Sequence, residues 1–198
     1  MALDLDRDGR RGTSRYTLRE RRWRTALTLV LAIYGWQCLR TPEDYRWLDS
    51  LDLAIHETGH LVFAFGGELL TLLGGTLFQL FVPAVFVAAL WRQGDRHGAT
   101  VPLWWLGQNC WNISLYIKDA RRQELPLVGG GEHDWALLLG ELGWLDRDQV
   151  IGGAVFLIGV GLYAVAIISG WRAVSSGGES DEPTGGPLEP TGRVPGRG

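Results

Sequence analysis

Long blocks without a single charge dominate this chain, and that segregation leaves few folds open to it. Residues 69–91, 98–117 and 149–171 contain no Asp, Glu, Lys or Arg over 23, 20 and 23 positions. A helix of about 20 apolar residues matches the hydrocarbon thickness of a bilayer. A shorter block, 25–39, is bounded by Arg24 and Arg40, whose side chains can snorkel and lengthen it. A fifth, 53–67, carries one charge, Glu57. The expected fold is all-α: a polytopic membrane helix bundle with about five hydrophobic helices and disordered polar tails. Residues 1–22 read as a basic polar N-terminal segment, 23–172 as the integral-membrane helical domain, and 173–198 as a disordered Gly/Pro/acidic tail.

The flanks of these blocks suit a membrane. Ten tryptophans are present, and Trp23, Trp36, Trp47, Trp91, Trp104, Trp105, Trp144 and Trp171 lie at or near block ends, where interfacial belts are expected. Eight arginines fall between Arg7 and Arg24. Next to an apolar block they serve orientation or contact with anionic lipid, and nucleic-acid binding finds no support. The positive-inside rule then puts the N-terminus in the cytoplasm and the chain in the inner or plasma membrane. The first block ends in Gln37-Cys38-Leu39-Arg40, not a small-x-small cleavage site, so it reads as a retained span. Cys38 and Cys110 share no C-x-x-C spacing and read as two buried thiols.

Inside the fifth block stands His56-Glu57-Thr58-Gly59-His60. On a helix, histidines four residues apart project from one face and can bind one Zn²⁺. Glu57 flanks that face, where it can take a proton from activated water. Burying a carboxylate and two imidazoles in apolar surroundings costs several kcal/mol unless they are paired or metal-bound.

A zinc site needs a third ligand and an open position. Asp119, just past the end of block 98–117, is the first candidate. His133 is the alternative, carried by a re-entrant loop that Gly129-Gly130-Gly131 would allow. Asp134, which starts a helical stretch at 134–142, is expected as an outer partner of the site. Glu68, Asp95 and His97 are lesser candidates. Gln79, Asn109 and Asn112 are polar groups within apolar blocks, suited to outer-shell or substrate contacts or to hydrogen bonds between helices. Gly74-Gly75 is a point where the third helix would open to admit an extended substrate backbone.

The H-E-x-x-H motif in an apolar helix, followed by a glycine-rich turn and a further span, resembles the site-2 protease class of intramembrane zinc metalloproteases, with a bacterial branch as the nearer likeness. The resemblance covers residues 51–120. It implies His56 and His60 as zinc ligands and Glu57 as general base. That family's third ligand is an aspartate in N-x-x-P…L-D-G; here Asp119 lies between Lys118 and Ala120, and no N-x-x-P occurs. The function expected is a membrane-embedded zinc metallopeptidase that hydrolyses peptide bonds within or near the membrane. Its partners would be membrane lipids and a transmembrane or juxtamembrane protein substrate. Two alternatives use the same residues. One is a non-catalytic scaffold whose structural metal is closed by His56, His60, Asp119 and His133. The other is a membrane zinc hydrolase acting on lipid amides or esters.

Overall fold

A computed structural model describes residues 17–125 and 133–176 of the chain. Among them the order is α1 (Leu18–Arg40), α2 (Trp47–Phe63), α3 (Glu68–Arg92), α4 (Thr100–Asp119), α5 (Asp134–Glu141) and α6 (Asp148–Ser176), and no strand is present among the described residues. The all-α expectation stands.

Local chemistry sets the helix ends. Thr17 Oγ1 accepts the Glu20 N–H at 3.2 Å, and Glu20 Oε2 accepts the Thr17 N–H at 2.7 Å. This capping box satisfies two orphan donors and starts α1 at Leu18, so the boundary drawn at residue 22 falls inside a helix. The boundary at 172 falls inside α6 for a simpler reason: its apolar run continues into further helix-compatible residues. The remaining tail expectations, for 1–16 and 177–198, lie outside the described residues. Asp49 Oδ2 accepts the Arg46 N–H at 2.6 Å and caps α2, which begins six residues earlier than its apolar block suggests.

After α2 a short 3₁₀ turn, Ala64–Gly66, leads to Gly67 at φ 82°, a conformation that suits glycine and reverses the chain. The helices α2 and α3 then return against each other as a hairpin. Gly59 and Gly74 make the crossing close: a Cβ on Gly74 would sit 2.8 Å from the Gly59 carbonyl oxygen. Gly74-Gly75 therefore lies inside a continuous α3 and serves helix packing, and the opening expected there is not present. On its other side α4 packs antiparallel to α6 through a second close approach, where a Cβ on Gly107 would lie 2.9 Å from the Gly159 carbonyl oxygen. The helix α1 lies along α6, with the Tyr163 hydroxyl donating to the Ala32 carbonyl at 2.7 Å. Thus α4 is central, between the α2–α3 hairpin and the α1–α6 pair.

Polarity is arranged with apolar groups outside and many polar groups inside. Large apolar side chains are exposed along α1 (Leu29, Ile33, Trp36), α3 (Leu77, Phe81, Val85) and α6 (Val150, Leu157, Ile168). Asp52, Asn109 and Ser114 are fully buried. Two helical stretches, Glu68–Arg92 and Leu145–Ser175, are long and apolar enough to cross a membrane. The other three expected spans fall short of that measure among the described residues. The causes are length and composition: α2 is short, at 17 residues, and holds Asp49, Asp52 and Glu57; α4 holds Gln108, Asn109 and Asn112, and α1 opens on arginines.

Of the expected tryptophan belt, Trp23, Trp36, Trp47, Trp91, Trp144 and Trp171 are exposed. Trp104 is not: it is buried with Leu48 and Ala166 and stacks on Tyr34 at 5.5 Å. Trp105 turns inward to donate to Asp52 Oδ1 at 2.7 Å. Cys38 and Cys110 are buried free thiols. A cavity of about 850 Å³ opens between α1, α2, α3 and α4; its lining is mostly apolar, with Gln37 and Tyr34 among it, and holds no carboxylate or imidazole.

Candidate metal centre

The chemistry lies in a second cavity, of about 430 Å³, walled by α2, α3, α4 and the start of α5. Periodicity on α2 builds its first wall. Asp49, Asp52, His56 and His60 follow one another at spacings of three, four and four residues, so they share one helix face. That face turns toward α3 and α4. His56 packs so tightly on α3 that a Cβ on Gly75 would lie 2.6 Å from its Cδ2 and 2.7 Å from its Cε1.

Each imidazole has a fixed hydrogen-bond partner on Nδ1. His60 Nδ1–H donates to the Thr71 carbonyl at 2.7 Å, an oxygen that can only accept. His56 Nδ1–H donates to Gln79 Oε1 at 3.1 Å. Both rings therefore direct Nε2 into the cavity. There each meets the same atom: Asp134 Oδ2 lies 3.0 Å from His56 Nε2 and 3.1 Å from His60 Nε2. With the rings neutral, two nitrogen lone pairs and a carboxylate oxygen converge, an arrangement that either a proton or a metal cation between them would satisfy. Candidate ligand atoms of the three residues lie within 4.8 Å of one another. Tetrahedral coordination with bonds of about 2.0–2.1 Å would separate ligand atoms by roughly 3.3 Å. The two imidazole–carboxylate distances fall within a few tenths of that value, so the donor set fits a divalent metal such as zinc.

Asp134 arrives on α5. His133 is the N-cap of that helix, its Nδ1 accepting the Ala136 N–H at 3.2 Å, which puts Asp134 at the first helical position. A carboxylate is favoured there by the helix dipole. The third member of the cluster is thus the residue beside the one expected as the alternative ligand.

Asp119, the first candidate, is not in the cluster. Its two oxygens accept the Glu124 and Leu125 N–H groups at 3.1 and 2.9 Å, closing the turn after α4. His133 is not in it either, because capping occupies its Nδ1. Its Nε2 lies 3.6 Å from Asp119 Oδ2, and the ring sits beside Tyr116. What docks α5, and with it Asp134, is packing on α3 and α4, with Leu139 buried among Ile113, Ile117 and Ala120. The four-ligand set of His56, His60, Asp119 and His133 is not assembled. The glycine-rich stretch 129–131 lies outside the described residues.

The other candidates separate cleanly. Glu57 is exposed and lines the same cavity. Gln79 and Asn112 belong to the site, with Gln79 Nε2 donating to Asn112 Oδ1 at 3.3 Å. Asn109 is fully buried and donates to the Trp105 carbonyl of its own helix, so it is structural. Glu68 is exposed at the start of α3. Asp95 and His97 form a different corner with α1: Arg24 Nη1 binds Asp95 Oδ1 at 2.9 Å, and His97 Nε2 lies 3.1 Å from Thr28 Oγ1. Two residues of the centre escaped the reading of the sequence. Thr71 contributes only its carbonyl, which no side-chain pattern reveals. Asp49 was recoverable from the polar stripe it begins.

Comparison with models of protein families, with curated proteins and with solved structures finds no match to this chain.

Proposed function

We propose that this chain is a membrane-embedded zinc metallopeptidase that cleaves peptide bonds within or near the bilayer. One observation carries the reading: the Nε2 atoms of His56 and His60 and the Asp134 carboxylate converge in a cavity that Glu57 also lines. Embedding is supported by the two long apolar stretches and by an exterior of exposed Leu, Ile, Val, Phe and Trp around a polar interior. The arginines before and within α1 favour a cytoplasmic N-terminus.

Bound zinc would lower the pKa of a coordinated water to about 7 and polarise the scissile carbonyl. The protein's own groups do the rest. His56, His60 and Asp134 are the residues that would hold the ion. Glu57, on the cavity wall, takes the proton from the attacking water and delivers it to the leaving amine. The hydrogen bonds of Gln79 and Thr71 keep both rings in the ligating orientation. The 430 Å³ cavity accommodates a short extended segment, the form in which a peptide carbonyl is open to attack.

The test is Glu57→Gln in detergent or nanodiscs against a panel of transmembrane peptides and of lipid amides and esters. The variant should keep its zinc and lose about 10²–10⁴-fold in cleavage rate, the usual contribution of a positioned acid–base group. Full activity in Glu57→Gln would exclude this mechanism. Activity confined to lipid substrates would transfer the same chemistry to a lipid hydrolase.

A further inference from the structure

A hydrogen-bond chain of four side chains runs from the mouth of α2 to the metal centre. Asp49 Oδ1 accepts from Asn112 Nδ2 at 3.3 Å, Asn112 Oδ1 accepts from Gln79 Nε2 at 3.3 Å, and Gln79 Oε1 accepts from His56 Nδ1 at 3.1 Å. Its two middle members are amides, and an amide can face a neighbour with either its oxygen or its nitrogen. Nothing in Gln79 alone therefore decides which nitrogen of His56 carries the proton. Were Gln79 turned over, its NH₂ would donate to Nδ1, and His56 would have to carry its proton on Nε2. That proton would point at Asp134 and close the position a metal needs.

The direction of the chain is set at its far end. Asp49 accepts from three donors: the Arg46 N–H at 2.6 Å, Gln108 Nε2 at 3.0 Å and Asn112 Nδ2 at 3.3 Å. Both Asp49 oxygens accept, Oδ2 from the Arg46 N–H and Oδ1 from Gln108 and Asn112, so Asn112 gives it the NH₂ and shows its oxygen to Gln79. Gln79 must then show its oxygen to His56. His60 needs no such device, because a backbone carbonyl faces its Nδ1. We propose that Asp49 is a positioning residue which, through Asn112 and Gln79, fixes His56 as the Nδ1–H tautomer and so presents its Nε2 lone pair to the cavity. The consequence for metal affinity rests on the metallopeptidase reading; the tautomer itself does not.

Two variants test this without removing a ligand. Asp49→Asn keeps the shape and restores ambivalence at the end of the chain. Asn112→Leu cuts the chain and leaves the α2 cap in place. The measurement is ¹⁵N NMR of metal-free protein with labelled histidine in nanodiscs, at a pH where the rings are neutral. His60 serves as the internal control. The expected result is Nδ1–H at both His56 and His60 in the unsubstituted protein, and a mixture of tautomers at His56 alone in both variants. Zinc affinity should fall by about 10–100-fold in the variants, as when an outer partner of a ligand is lost. Two results would overturn the proposal: an Nε2–H tautomer at His56 in the unsubstituted protein, or an unchanged tautomer in both variants. If His56 shifts as expected while no form takes up zinc, the positioning role stands and the metallopeptidase reading falls.

Discussion

Replacing Gly75 by alanine should empty the metal centre while leaving the helices in place. The new methyl would fall on His56 Nε2 and within 2.6 and 2.7 Å of Cδ2 and Cε1. Carbon contacts are comfortable only from about 3.5 Å, so the ring must retreat by roughly 0.9 Å. Ligand distances in a metal site tolerate about 0.2 Å. The displacement is several times larger, and His56 is lost as a ligand. Zinc affinity should fall by more than the roughly 10–100-fold that accompanies loss of an outer partner. The fold is spared because two terms oppose each other. Alanine gains about 1 kcal/mol over glycine within a helix, and crowding a packed site costs about 1–3 kcal/mol. The net is about 0–2 kcal/mol of destabilisation. The assay is competition for zinc against a chromogenic chelator, with circular dichroism to verify helix content. Gly153→Ala is the control, since nothing lies within 4 Å of a Cβ there. A folded Gly75→Ala protein that binds zinc as tightly as the unsubstituted chain would refute the packing argument.

Three further outcomes follow from the same geometry. Gly59→Ala should destabilise the hairpin more than Gly75→Ala, because its methyl meets the Gly74 backbone and cannot be relieved by a side-chain shift; a thermal midpoint equal to that of Gly75→Ala would contradict this. Asp119→Asn should retain zinc stoichiometry but bind it more weakly, since Asp119 closes the α4 turn and faces His133 without touching the histidine pair; complete loss of zinc would restore Asp119 as a ligand. Acid should weaken the Arg24–Asp95–His97 corner. Burial and the Arg24 charge push the His97 imidazole below its ordinary value, so below about pH 6.5 the unfolded chain takes up a proton the folded one resists, and stability falls. Burial would raise Asp95, but the Gly98 N–H and Arg24 outweigh it and hold the carboxyl below the usual range; that contribution is present above about pH 4 and is lost as pH falls through the folded value. The thermal midpoint should therefore drop between pH 7 and 4, and drop less in His97→Gln; an equal drop would exclude His97 as a source.

The sequence carried some of this structure in local signals and hid the rest in long-range ones. The histidine pair, the helix beginning at Asp134 and the Thr17–Glu20 cap depend on neighbours within four residues, and each is readable from spacing. The choice of Asp134 over Asp119 does not. It depends on α5 packing against α3 and α4, with Leu139 buried among Ile113, Ile117 and Ala120, a long-range arrangement that no local spacing encodes. Asp49 and Asp52 precede the block that carries the motif, yet their spacing to His56 continues one helical stripe. A stripe of acids running into a histidine pair is a signal of a face turned inward. Trp104 sits near the end of its block like the belt residues, and only its stacking on Tyr34 distinguishes it. Gly74 and Gly75 looked like a place for the helix to open because glycine weakens helices. What they provide is room for Gly59 and His56.

His56, His60 and Asp134 are expected to hold one metal ion. The direct measurement is metal content per chain of detergent-purified protein, supplied with zinc, for the unsubstituted form and for His56→Ala, His60→Ala and Asp134→Ala. The account predicts close to one zinc per chain, lost in all three variants and kept in Glu57→Gln. An unsubstituted protein that takes up no metal would contradict it and leave a polar cluster within a helical bundle. Zinc retained in Asp134→Ala would contradict the ligand set.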